Sequence, residues 1–131
     1  MTERLEEFSR YCCELLAAAG PCTARRMFGG HGISTGGLTL ALLTDLGQGQ
    51  MLWLKAGPDT RVLFEAAGCE RFTYQAKDKA RHLGFYNAPV EAMESAREMA
   101  PWALLALQAA LAARQLKQPR PRKKKQPSGE K

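Results

Sequence analysis

The residues best suited to chemistry lie in one short stretch, residues 25–32, which reads Arg-Arg-Met-Phe-Gly-Gly-His-Gly. Paired guanidinium groups bind phosphates and carboxylates. Closely spaced glycines let a main chain turn sharply or approach a ligand. An imidazole transfers protons near neutral pH. The stretch therefore suggests an anion site, a phosphate-binding loop or an acid–base site.

A phosphate-binding loop fits this stretch poorly. Such loops end in Lys-Ser/Thr at the start of a helix, and dinucleotide-binding glycines lie between a strand and a helix. Residues 33–43 have the composition of strand instead. We therefore interpret Gly29, Gly30 and Gly32 as a turn, a bulge or a close approach of two chain segments. No nucleotide or other cofactor is expected.

An enzymatic or small-ligand domain is the alternative from another class. It would use the Gly29–Gly32 turn, with His31 and His82 meeting in one pocket. No nucleophile stands beside a base, and no paired carboxylates are recognisable. His82 lies in a predicted strand, where a histidine is more often structural than catalytic. We expect no catalytic residues.

Four cysteines, at positions 12, 13, 22 and 69, form no CxxC pair and show no zinc-ligand spacing. We interpret them as reduced thiols in the core or at its edge. A redox pair of Cys13 with Cys22 is a lesser alternative. No metal site is expected.

The elements that position these residues follow from apolar periodicity and from turn residues. They are a helix from Thr2 to Ala19, strands over 23–28, 33–35, 38–43 and 51–56, a short helix from Asp59 or Thr60 to Gly68, strands over 69–74 and 82–86, a helix beginning at Pro89, and a long helix over 102–116 after a break or kink at Pro101. Gly36-Gly37 has the composition of a tight hairpin turn. This order predicts a two-layer α+β fold, an antiparallel sheet of about five strands with N-terminal, central and C-terminal helices.

Several separated blocks of the sequence resemble the N-terminal domain of the TfoX/Sxy family. They are Arg26-Met27-Phe28-Gly29-Gly30-x-Gly32, the strand Met51–Ala56, and the pattern Phe64…Gly68…Phe72-x-Tyr74. The resemblance covers residues 3 to about 115, with His31 and Ile33 standing where the family often has aromatic residues. It implies a two-layer fold without catalytic residues. It also implies a role in regulating bacterial natural competence at promoters, together with the cyclic-AMP receptor protein.

Charge is distributed unevenly along the 131 residues, whose formal net charge is +6. Seven of the 19 basic residues and one of the 13 acidic residues lie from position 117 onward, which leaves twelve of each sign before it. We predict a domain over 1–116 and a disordered basic tail over 117–131, because prolines and like charges oppose folding. The tail either serves solubility or contacts nucleic-acid phosphates in a salt-sensitive, sequence-independent way through Lys117, Arg120, Arg122, Lys123, Lys124 and Lys125.

A second basic stretch, residues 75–81, has three cations against one acid and is interpreted as a loop. Together with the turn at 25–31 it forms our prediction of an interaction surface. The residues proposed to contribute are Arg25, Arg26, Phe28, Gly29, Gly30, His31, Lys77, Lys79 and Arg81. The competing interpretations are a solvated connection for residues 75–81, and for the arginines a solvated edge with a carboxylate partner on the first helix.

The sequence thus predicts a regulatory interaction module rather than an enzyme. The expected partner is a protein, either transcription machinery or the cyclic-AMP receptor protein, with weak nucleic-acid binding through the tail. The chain has no apolar run of about 18 residues and no signal peptide. We expect a cytoplasmic monomer or homodimer without membrane contact.

Overall fold

The computed structural model describes residues 2–27, 30–45, 49–76 and 79–117. The elements in chain order are α1 (Thr2–Leu15), a 3₁₀ segment (Leu16–Ala19), β1 (Thr23–Met27), β2 (Gly30–Thr35), β3 (Leu38–Asp45), β4 (Gln50–Lys55), α2 (Arg61–Ala66), β5 (Arg71–Ala76), β6 (Lys79–Asn87), a second 3₁₀ segment (Glu91–Glu94) and α3 (Ala96–Lys117). This order confirms the predicted α+β class.

The strands form one antiparallel sheet in the order β1-β2-β3-β4-β6-β5. It therefore has six strands, where a sheet of about five was predicted. The short strand predicted over 33–35 is longer, Gly30–Thr35, and pairs with both of its neighbours. The expected hairpin at Gly36-Gly37 is confirmed. Both glycines have positive φ angles, 56° and 81°, which side chains with a Cβ disfavour. Strands β1 and β5 are the two edges.

The main core joins the three helices to one face of the sheet. Cys12, Leu15 and Leu16 contribute from the N-terminal segment, Phe64 from α2 and Met99 from α3. A register shift between β2 and β3 leaves Leu40 without a cross-strand partner, so that Leu40 and its neighbour Ala41 both enter this core. A smaller cluster of Leu42, Trp53, Phe72 and Phe85 lies apart from it.

The basic stretch 75–81 is not the loop that we predicted. Residues 71–76 and 79–87 are strands whose register pairs Gln75 with Ala80 and Ala76 with Lys79. Only residues 77 and 78 remain to connect them. Cross-strand pairing therefore overrides the low strand propensity of these polar residues.

Of the break or kink predicted at Pro101, the break is wrong, because α3 is one helix from Ala96 to Lys117 with Pro101 inside it. Proline costs one main-chain hydrogen bond in the interior of a helix. Met99 and Ala103, on either side of Pro101, are completely buried, and this packing holds the helix together. Within the described residues no helix is long and apolar enough to cross a membrane.

Small residues form much of the buried face of α3. Ala103, Ala106 and Ala110 are buried, following Met99 at helical spacing. Leu104 and Leu111 of the same helix are 49% and 42% exposed. The alanines allow the helix to lie close to the sheet.

Candidate interaction groove between α1 and β1

Arg26 and His31 are direct cross-strand partners on β1 and β2. Residues opposite one another in an antiparallel pair lie on the same face of the sheet. Ala24 and Ile33 are the next such pair on that face, and Ile33 is completely buried in the main core. Arg26 and His31 therefore lie on the side of the sheet that α1 covers.

Gly30 begins β2 and its place in the sheet explains one of the glycines of the motif. A Cβ atom there would collide with the carbonyl oxygen of Leu43 on β3. This outcome supports the interpretation as a close approach of two chain segments. Gly29 and Phe28 lie outside the described residues.

One face of α1 completes a groove with these strands. Glu6, Ser9, Arg10 and Cys13 follow one another at intervals of three and four residues, which places them on one side of a helix. The groove has a volume of about 500 Å³ and is lined by Glu6, Ser9, Arg10 and Cys13 of α1, by Cys22, Thr23, Ala24 and Arg26 on or beside β1, and by His31 of β2. It is thus built where the first helix crosses the edge of the sheet.

Two of the groove's polar side chains are already satisfied by the main chain. The hydroxyl of Ser9 donates a hydrogen bond to the Glu6 carbonyl oxygen at 2.9 Å. The Cys22 thiol donates to the carbonyl oxygens of Gly20 at 3.3 Å and Leu16 at 3.6 Å. These groups shape the wall of the groove and do not compete for a ligand.

The charged side chains of the groove remain available. Arg10, Arg26 and Glu6 are all exposed. Within the described part of the chain, neither arginine makes an ion pair or a hydrogen bond. The predicted carboxylate partner on the first helix is therefore not found among those residues. Among the described lining residues, two unpaired cations stand against one acid.

His31 brings a further unsatisfied group to the groove. Its Nδ1 atom is buried and has no hydrogen-bond partner among the residues that the structure describes. A buried polar atom without a partner costs stability. The same is true of Nε1 of Trp53 in the smaller cluster.

The thiols in this region have raised pKa values, whereas a nucleophilic cysteine needs a lowered pKa. Burial, followed by the nearby Cys13, raises the pKa of Cys22 to about 11. Burial also raises the pKa of Cys13, with a smaller contribution from Glu14. All four cysteines are free thiols. In the described ranges, no group of three His, Cys, Asp or Glu residues is placed to hold a metal ion.

The other predicted contact residues do not join this groove. Arg25 is exposed on the opposite face of β1, because side chains alternate along a strand. Lys79 and Arg81 lie on β6, next to the far edge strand β5. Strand directions place the start of β6 at the opposite end of the sheet from the start of β2, and five strand spacings, about 24 Å, separate the two edges. Lys77 lies outside the described residues.

His31 and His82 are likewise separated. They lie on β2 and β6, with β3 and β4 between them, which is three strand spacings or about 14 Å. The pocket that the enzymatic alternative requires is therefore not formed by these two residues.

Sequence reasoning missed the contribution of α1 to the groove. The sequence predicts the helix itself, but not that its Glu6, Ser9 and Arg10 face a strand across a groove. The sequence does carry a signal for these residues. Positions 6, 9, 10 and 13 lie on one side of a helix, and positions 22, 24 and 26 lie on one face of a strand, so the two sets can line one groove. Which strand the helix crosses depends on packing that neither pattern specifies.

Comparison with known proteins identifies the family of the chain. Residues 14–110 match the family model of the TfoX N-terminal domain. This match spans most of the chain, so the protein belongs to that family. No curated protein matches the chain.

Proposed function

We propose that this protein is a non-enzymatic regulatory module that acts through contacts with a protein partner. Membership of the TfoX N-terminal domain family supports a role in competence or transcription regulation. In this proposal the protein works in the bacterial cytoplasm, and its partner is transcription machinery or the cyclic-AMP receptor protein.

One observation carries the proposal, which is the pair of unpaired arginines in the groove between α1 and β1. Arginine is enriched at protein interfaces, where its planar guanidinium group binds carboxylates through two hydrogen bonds. Arg10 and Arg26 come from different elements and line the same groove. A partner would satisfy charges that the described part of the fold leaves free.

The properties of the thiols are consistent with a role that needs no catalysis. A thiol attacks as its thiolate, which a raised pKa suppresses at neutral pH. Burial raises the pKa of Cys12, Cys13, Cys22 and Cys69 alike. These observations favour an interaction module over a cysteine-dependent enzyme.

Titration calorimetry with the cyclic-AMP receptor protein, in the presence of cyclic AMP, tests the proposal. The full chain and a chain lacking residues 117–131 are expected to bind with similar affinity, because the proposed contact lies in the folded body. The proposal would be refuted if neither chain bound the cyclic-AMP receptor protein or RNA polymerase.

Nucleic-acid binding through residues 117–131 is a second candidate function, favoured by seven basic residues in that stretch. All but Lys117 lie outside the described residues. The binding would be sequence-independent and would weaken steeply with salt, because it releases condensed counterions. Duplex DNA titrations with and without the tail, over a range of salt concentrations, distinguish the two functions. Sequence-preferring binding by the tail-deleted chain would contradict both.

A further inference from the structure

Strand β1 is open on one side. Among the residues that the structure describes, its only partner in the sheet is β2. Every second residue of an edge strand points its N–H and C=O groups away from its neighbour, and an extended peptide can pair with them as an added strand. Arg25 and Arg26 are both exposed, one on each face of this strand.

The groove lies directly beside this open edge. A strand added to β1 would place alternate side chains toward the face of the sheet that carries Arg26. Arg10 of α1 lines the same groove from the helix side, and Glu6 is the only acidic residue among the described residues of its wall. Neither arginine has a partner within the described residues. Carboxylates on alternate positions of such a strand would complement both.

We propose that β1 binds an extended acidic segment of a protein partner as a seventh strand, with the carboxylates of that segment paired to Arg26 and Arg10. This inference rests on the proposed function and names the chemistry of its partner. Charged residues also protect an edge strand from unwanted pairing. Arginines repel a basic or self-identical strand and at the same time select an acidic one.

A synthetic nonapeptide that alternates glutamate with threonine, with blocked ends, is the probe. Calorimetric titration of the full chain at about 50 mM salt limits screening of the charges. Arg26→Glu is expected to weaken binding about tenfold or more. Glu6→Gln should strengthen it about twofold, because it removes the one repulsive charge.

Arg61→Glu is the matched control, since it makes the same charge change at an exposed site on α2. Phe64 of α2 stacks on Tyr86 of β6, so this helix covers the other half of the sheet. Equal losses in Arg26→Glu and Arg61→Glu would overturn the proposal, because binding would then reflect net charge alone. Circular dichroism and thermal melting verify that each variant folds.

The peptide itself tests the main-chain part of the proposal. N-methylation of every second amide of the peptide removes the hydrogen-bond donors along one of its two edges. Of the two possible patterns, the one that methylates the edge paired with β1 should abolish binding. A glutamine–threonine peptide should bind about tenfold more weakly than the glutamate peptide. Unchanged binding by both N-methylated patterns, or by the glutamine peptide, would contradict an acidic added strand.

The experiments distinguish a failure of the proposal about β1 from a failure of the proposed function. If Arg26→Glu still binds the cyclic-AMP receptor protein with full affinity, the partner uses another surface and the proposal about β1 is wrong. If the wild-type chain binds the acidic peptide but no transcription protein, the proposal about β1 holds and the proposed function fails.

Discussion

Gly30 of β2 and Leu43 of β3 are in close main-chain contact, and this contact fixes the start of β2. A Cβ atom on residue 30 would overlap the carbonyl oxygen of Leu43 and would lie 3.1 Å from both its carbonyl carbon and the Cβ of Thr44. A main-chain oxygen cannot rotate away as a side chain can. The pairing of β2 with β3 would have to shift.

Gly30→Ala should therefore lower the free energy of unfolding by about 3 kcal/mol, the upper part of the range for overpacking. Urea unfolding monitored by tryptophan fluorescence measures the change. Gly57→Ala is the control, because the nearest atom to its new methyl group would be the Cβ of Ala109 at an ordinary 3.8 Å. Equal stability of the two variants would show that the close approach at Gly30 is not tight.

Cys22 should react slowly with iodoacetamide. Burial raises its pKa to about 11, against 9.0 for an ordinary cysteine. At pH 8 the thiolate fraction, and with it the alkylation rate, is then about a hundredfold lower than for a free cysteine. Tandem mass spectrometry follows the modification of each cysteine with time.

The rate at Cys22 should rise about tenfold for each pH unit until the pH approaches 11. The urea-unfolded chain is the reference, in which all four cysteines should react at similar rates. Rapid modification of Cys22 in the folded protein at pH 7 would contradict its raised pKa and would revive the Cys13–Cys22 redox alternative.

The buried thiol of Cys12 predicts a loss of stability in alkali. Burial, with a smaller contribution from Cys13, raises its pKa to about 12 in the folded protein, from 9.0. Because the unfolded chain loses this proton first, the stability that depends on the neutral thiol is complete below about pH 9. It is lost progressively as the pH rises toward 12.

Between pH 8.5 and 10.5 this group should lower the free energy of unfolding by about 2 kcal/mol. Other groups titrate in the same range, so Cys12→Ala is the comparison. This variant is less stable at every pH because it leaves a small cavity, but its stability should decline by about 2 kcal/mol less over that interval. Parallel declines would contradict the prediction.

Much of the fold could be predicted from the sequence because local patterns and global packing agree. The apolar periodicity of α1 and the glycine pair at residues 36 and 37 each specify one structure. The resemblance to the TfoX N-terminal domain was confirmed by the family match over residues 14–110.

The wrong predictions share a physical cause, which is that tertiary contacts outweigh local preference. Residues 75–81 are polar enough to read as a loop, yet their cross-strand partners make most of them strand. Pro101 breaks an isolated helix, yet buried Met99 and Ala103 keep α3 continuous. The groove arises in the same way, from the packing of α1 against β1.

The most direct test of the central claim is to map the surface that a protein partner occupies. Amide chemical shifts and line widths of the labelled full chain would be recorded by NMR while unlabelled cyclic-AMP receptor protein, with cyclic AMP, is added. We predict that the largest changes fall on residues of the groove and edge strand, notably Glu6, Cys13, Ala24 and Arg26, and that Arg26→Glu removes them. Changes confined to residues 118–131, or to the exposed face of α3 around Leu104 and Leu111, would contradict the claim that this protein acts through the groove between α1 and β1.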